Sequence, residues 1–229
     1  MNIDENITQF VKGNGKNGGK NPDERYASFD YCYNHFQYFR ENGCIEKMTN
    51  QDNMQTSCLH IGFYLASWGM LRGSSFLLEK SIKHYESLIS NIAKFDKRIW
   101  DIDADSYTED NIKSLLECKD MVCKSLENGN KLTDTLSTKI MLGIFSNVPA
   151  YDVFFRKGLN VHSFGKKSLR EIANFYDGNQ EIIDKYKIRT FDFSTGKETH
   201  RIYTKAKIID MIGFIAGQNK VIIHPVNES

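Results

Sequence analysis

Proline occurs only three times in 229 residues, at positions 22, 149 and 225. Proline fixes φ and cannot donate to a backbone ladder, so folds made of many turns and short strands use it freely, whereas a chain nearly without it favours long helices. Apolar residues make up 40% of the chain, ample for a core. A chain of this length buries about 70% of its unfolded surface as one domain.

Periodicity places the elements. The aromatic stretch 28–42, with Ser28 or Asp30 as cap and Gly43 just beyond, sets Phe29, Cys32, Phe36 and Phe39 on one helical face. Tyr31, Asn34 (or His35) and Tyr38 lie on the adjoining face with polar tips. A second helix is expected over 55–74, where Leu59, Phe63, Ala66, Met70 and Gly73 form one stripe and Ile61, Leu65 and Trp68 widen it. A helix apolar over so much of its circumference is expected at the centre of the fold. It carries Arg72, which either reaches water or a carboxylate at the helix end or meets an anionic group in a pocket.

Further helices are expected over 76–93, 108–126, 133–145, 150–159, 168–176 and 205–217, with 221–226 as an extended tail. Thr108 and Asn111 suit the start of the second of these helices. Residues 187–203 alternate around Ser194-Thr195-Gly196-Lys197, as a β-hairpin or as a loop between two helices. The expected architecture is mainly α: a flexible arm over 1–24, poor in apolar residues around VKGNGKNGGKNPDE, then a single helical domain over 25–229 with a small β-hairpin in its C-terminal third.

Several function classes are set aside. GNGKNGG lacks the Lys-Ser/Thr of a P-loop and a preceding strand. Asp101, Asp103 and Asp105 alternate like calcium ligands, but Ser106 and Ile112 stand where an EF-hand needs Gly and Glu. The five cysteines form no Cys-x-x-Cys pair, His60, His84 and His162 have no partner in sequence, and no metal or cofactor is expected. No nucleophile elbow or His-Glu-x-x-His occurs. Residues 1–22 lack an apolar signal region and no run is long enough for a membrane span, so a cytoplasmic protein with reduced thiols is expected. The net charge of +1 hides an asymmetry: residues 150–220 hold thirteen basic and eight acidic groups, a net of +5, against −3 for residues 1–149. That excess is either ordinary sampling or a basic face that meets phosphate.

The most informative stretch is TDTLSTKIMLGIFSNVPAYDVFFRKGL, residues 133–159. Lys139 is expected near the start of an apolar helix, a turn with Asn147 and Pro149 follows, and Asp152 begins a second apolar helix. This stretch resembles the helix-hairpin-helix DNA glycosylases, with Thr138-Lys139-Ile140 standing for one element of their motif and Pro149-Ala150-Tyr151-Asp152-Val153 for the other. The family's glycine-rich hairpin is absent, since Lys131-Leu132-Thr133-Asp134-Thr135 holds no glycine, and the interval from Lys139 to Asp152 is shorter. The resemblance implies a DNA-binding protein that acts on a flipped base, with Asp152 assisting cleavage of the base–sugar bond and Lys139 as the residue that attacks the sugar in lyase members.

A binding site is expected around Tyr31, Asn34, Tyr38, Trp68 and Arg72, with Tyr151 beside Asp152, since pockets combine apolar walls with a few polar anchors. Lys157, Lys166 and Lys167, with Arg156 and Arg170, would meet flanking phosphates. DNA is then the expected partner. The alternative is a non-enzymatic binding or accessory protein whose aromatic pocket takes a small molecule, a nucleotide or a protein partner.

Overall fold

A computed structural model describes residues 1–13, 18–126 and 132–223, with side chains as far as 220. The chain begins with helix α1, Ile3–Lys12, capped by the Asn2 side chain, which accepts from the Glu5 amide at 3.1 Å. Ile3, Ile7 and Phe10 share one face and are buried. The expected flexible arm over 1–24 is therefore corrected. Its reading came from the glycine-rich residues 11–24, while residues 3–10 carry an apolar face of their own. Residues 14–17 lie outside the described set, and Lys20 is buried, paired with Asp30 at 3.0 Å.

Helix α2 is Ala27–Glu41, and Phe29, Cys32, Phe36 and Phe39 are buried as its spacing predicts. Neither Ser28 nor Asp30 caps it: the N-cap is Tyr26, without a side-chain bond, and Asp30 is wholly buried. Helix α3, Gln51–Ser67, starts and ends earlier than the expected 55–74, because Gly69 (φ +73°) takes the chain out of the helix. The stripe that faces inward is also different. Cys58, Ile61 and Leu65 are buried, whereas Leu59 and Phe63 are exposed. Two apolar stripes overlap on this helix, and periodicity alone cannot choose between them.

The helix expected over 76–93 is three pieces: 3₁₀ turns at Phe76–Glu79 and Ile82–Tyr85, then α4, Glu86–Lys94. Lys80 and Ser81 between the turns are extended. Helix α5, Glu109–Ser125, is capped by Thr108 accepting from the Asn111 amide at 3.3 Å, as its sequence predicts. Asp103 accepts from the amides of Lys205 and Ala206, both at 2.8 Å, and Asp101 pairs with Arg40. These acids serve the fold.

The centre belongs to two helices. Helix α6, Asp134–Phe145, is buried at every position from Leu136 to Phe145. Helix α7, Val153–Leu159, and helix α8, Lys166–Asp177, follow, then the short α9, Gln180–Ile183. The hairpin is present: β1, Arg189–Phe191, pairs antiparallel with β2, Glu198–Ile202, with Arg189 opposite Ile202 and Phe191 opposite Glu198. Helix α10, Lys205–Ile223, runs past the expected end at Gly217, so the start of the expected extended tail is helical and residues 224–226 lie outside the described set. Among the described residues the architecture is mainly α with this one small sheet.

The α7–α10 packing is the most extensive between helices, and glycine allows it. A Cβ on Gly158 would stand 1.9 Å from the Gly213 carbonyl oxygen, and one on Gly217 would stand 1.8 Å from that of Phe154. Side chains longer than hydrogen at these points would force the helices apart. This close crossing fixes where α7 begins, and hence where Asp152 stands.

Candidate functional site

The segment 149–152 is held from both sides. The Tyr151 amide donates to Thr138 Oγ1 at 2.8 Å, and Thr135 Oγ1 donates to the Tyr151 carbonyl at 2.9 Å, tying it to α6. The Ala150 amide donates to Asp210 Oδ1 at 3.0 Å, tying it to α10. Asp152 is thereby set at the head of α7. Its Oδ1 accepts from the Phe155 amide at 2.9 Å, and its Oδ2 lies 3.3 Å from Lys139 Nζ. Lys139 stands in the middle of α6, 3% exposed, and also donates to the Trp68 carbonyl at 3.3 Å. Burial pushes its amine pKa down, opposed by the carboxylates of Asp152 and Asp210 and aided by the cation of Lys207.

A second buried ion pair lies beneath. Lys207 and Asp210 meet at 2.8 Å one turn apart on α10. The Lys207 ammonium sits 4.5 Å from the Phe29 ring centroid and 5.5 Å from that of Trp68. Trp68 stacks on Tyr26 (5.3 Å, 9°) and meets Phe214 edge-on at 5.7 Å. Lys139 and the Arg25 guanidinium also lie 5.2 Å from the Trp68 ring, so one indole is shared by three cations.

Above Lys139 and Asp152 opens a cleft of about 440 Å³, within the range of small-molecule sites. Trp68, Met70, Phe154 and Phe214 wall it, and Arg25 and Arg72, both exposed, stand at its rim. Gln218 also lines it, and Gln218 Oε1 and Trp68 Nε1 are buried without a hydrogen-bond partner among the described residues. Five other buried side-chain atoms among the described residues share this condition, and both atoms are closed off from the open space of the cleft.

Of the residues expected at the site, Trp68, Arg72, Lys139 and Asp152 come together here. The others stand elsewhere. Tyr31 donates to the Pro22 carbonyl at 2.7 Å and lines a separate groove. Asn34 binds the hairpin, donating to the Phe191 carbonyl at 2.9 Å and accepting from Thr190 Oγ1 at 2.8 Å. Tyr38 is exposed. Tyr151 is fully buried with its hydroxyl on Ser168, at 3.0 Å. Lys157 is exposed on α7 outside the cleft lining. Lys166 and Arg170 both pair with Glu109 at 2.5 Å, and Lys167 lies 3.9 Å from Glu171 on its own helix, so acids of the same surface offset much of the charge of α8.

Lys207, Asp210, Arg25 and Gln218 were not foreseen. The legible signal for the first two was a Lys and an Asp three residues apart inside an otherwise apolar run, KIIDMIGFI.

No group of acidic, cysteine or histidine side chains among the described residues could hold a metal, and no described helix is long and apolar enough to cross a membrane. Comparison with family models, curated proteins and solved structures finds no match to this chain.

Proposed function

We propose that the cleft is a base-excision site: the protein binds DNA, takes a flipped base against Trp68 and Phe154, and acts on its bond to the sugar through Lys139 and Asp152. The observation that carries this reading is the Lys139–Asp152 pair itself, 3.3 Å apart and nearly removed from water at the floor of an aromatic cleft. These are the two residues that the helix-hairpin-helix resemblance pairs by sequence.

The chemistry follows from the environment. A depressed amine pKa makes the free base of Lys139 more available near neutrality. Nζ attacks C1′ of the sugar, the C1′–N bond breaks, and its electron pair leaves with the base, which takes up a proton. Asp152 accepts the proton released by Nζ and faces the positive charge that develops on the sugar. Arg25 and Arg72 at the rim are the cations nearest the mouth for flanking phosphates.

Borohydride trapping tests the reading. Oligonucleotides carrying an abasic site or a damaged base should become covalently joined to the wild-type protein and not to Lys139→Gln. Asp152→Asn should keep binding and lose excision. Absence of any complex with single- or double-stranded DNA at micromolar protein and low salt would overturn the proposal, because even non-specific complexes reach about 10⁻⁴–10⁻⁶ M at physiological salt.

The arginine rim also favours a second reading, a binding site for a free nucleotide or another planar anion. Under that reading Lys139→Gln still binds ligand and no trapped adduct forms.

A further inference from the structure

Leu59, Phe63 and Phe193 are large apolar residues left exposed, at 47%, 69% and 80%. Single exposed hydrophobic side chains need no explanation, but clusters mark interaction surfaces. These three line one groove of about 610 Å³ between α2, α3 and the tip of the hairpin, together with Tyr31. The Tyr31 and Phe193 rings meet edge-on at 5.3 Å. Leu59 and Phe63 belong to the α3 stripe whose periodicity matches a core face, and these two side chains are left exposed by the described fold. A local pattern that contradicts its own environment is expected where function requires it.

Charge narrows the occupant. Asp23 and Glu24 line the groove, both are exposed, and neither has an ion-pair partner among the described residues. The one cation of the lining among the described residues, Arg25, lies over the Tyr26 and Trp68 rings at 5.3 and 5.2 Å, on the side of the neighbouring cleft. The groove therefore presents carboxylates. They repel phosphate, which disfavours nucleic acid and anionic lipid. A twofold dimer through this patch would bring the same acids of two copies towards each other, which is unfavourable.

We propose that this groove docks a peptide segment of a partner protein, one that presents apolar side chains to Leu59, Phe63 and Phe193 and lysine or arginine to Asp23 and Glu24. Apolar anchors supply affinity, and the charges select among partners with similar anchors. The proposal is independent of the chemistry at Lys139.

Selection of a displayed library of random short peptides on the intact protein tests it. Enriched sequences should combine apolar residues with Lys or Arg. Their binding should fall about ten-fold or more on the Phe63→Ser/Phe193→Ser protein, as for loss of central anchors. That double variant should melt at the parent temperature, because both side chains are exposed. Asp23→Lys/Glu24→Lys should weaken the basic peptides and spare their uncharged analogues. The proposal is overturned by failure to enrich, by enrichment of acidic peptides, by binding that survives the double variant, or by sedimentation showing a dimer that the double variant dissolves.

Discussion

Replacing Gly217 by alanine separates two opposite expectations. On helix propensity alone, Gly→Ala within α10 should stabilise by about 1 kcal/mol. The structure reverses the sign. The new Cβ would stand 1.8 Å from the Phe154 carbonyl oxygen and 2.5 Å from its carbon, both backbone atoms that no rotamer change can move. Helix α7 must then retreat from α10. Overpacking of this kind costs about 1–3 kcal/mol, and a rigid neighbour belongs at the upper end, so about 2–3 kcal/mol less the propensity gain leaves a net loss of about 1–2 kcal/mol. At about 2–4 °C per kcal/mol for a chain of this size, the melting temperature should fall by about 2–8 °C. Gly158→Ala meets the same crossing from the other helix, with the Gly213 carbonyl oxygen 1.9 Å away, and should behave alike. Gly165→Ala is the control. Nothing lies within 4 Å of its Cβ and its φ of −179° suits any residue; as the N-cap of α8 it loses only the preference of that position for glycine over alanine, so its cost should stay below about 1 kcal/mol. Thermal and urea unfolding of the three variants decides the matter. A Gly217→Ala protein as stable as the parent or more so would refute the close crossing, and with it the account of how Asp152 is placed.

Other outcomes follow from the charges. His35 stacks on His60 at 4.2 Å, and burial first, then the neighbouring His60, lowers its pKa to about 3. The unfolded chain takes up that proton near the ordinary value of about 6.5, so stability from this site is full above about 6.5 and falls as the pH drops towards 3; urea titrations of His35→Phe across that window should show a flatter profile. Lys207→Met leaves Asp210 buried without its cation and should cost about 3–5 kcal/mol, whereas Lys207→Met/Asp210→Leu should recover part of the loss in thermal melts, short of the bond that Asp210 gives the Ala150 amide.

Some of the fold was legible because local signals were unopposed. The Thr108 cap and the inward face of α2 each have one reading in the sequence, and the structure adopts it; of the two readings of residues 187–203 it takes the hairpin. Helix α3 was misread for the opposite reason. Its Leu59-Phe63 and Ile61-Leu65 rows are equally apolar, and only the positions of neighbouring helices decide which is buried. Helix α1 was hidden by the composition of the glycine-rich residues after it. At the site, Lys139 and Asp152 lie thirteen positions apart and meet because the turn before α7 is bonded to α6 through Thr135 and Thr138. Tyr31, Asn34 and Tyr38 shared a helical face in the sequence, but that face meets the hairpin and solvent, not the cleft. Arg25 and Gln218 come from loop and helix segments with no periodic relation to either, so no spacing rule could have brought them to the rim.

Four charged side chains gathered under Trp68 are a poor choice if stability were the only requirement. Replacing buried ion pairs by well-packed apolar residues is often neutral or stabilising by about 1–4 kcal/mol, and the run from Lys207 to Ile215 is otherwise apolar, so leucine or methionine would fit its pattern. The two pairs do different work. Asp210 accepts from the Ala150 amide and so fixes the turn that carries Asp152, while Lys207 satisfies Asp210 and keeps its cation away from solvent among Phe10, Phe29 and Trp68. Neither faces the cleft lining. Lys139 and Asp152 do. The inner pair is thus a support whose loss should be read mainly in stability. The outer pair is the one whose loss should be read in what the cleft binds or does, and comparison of Lys139→Gln with Lys207→Met in both measurements separates the two roles.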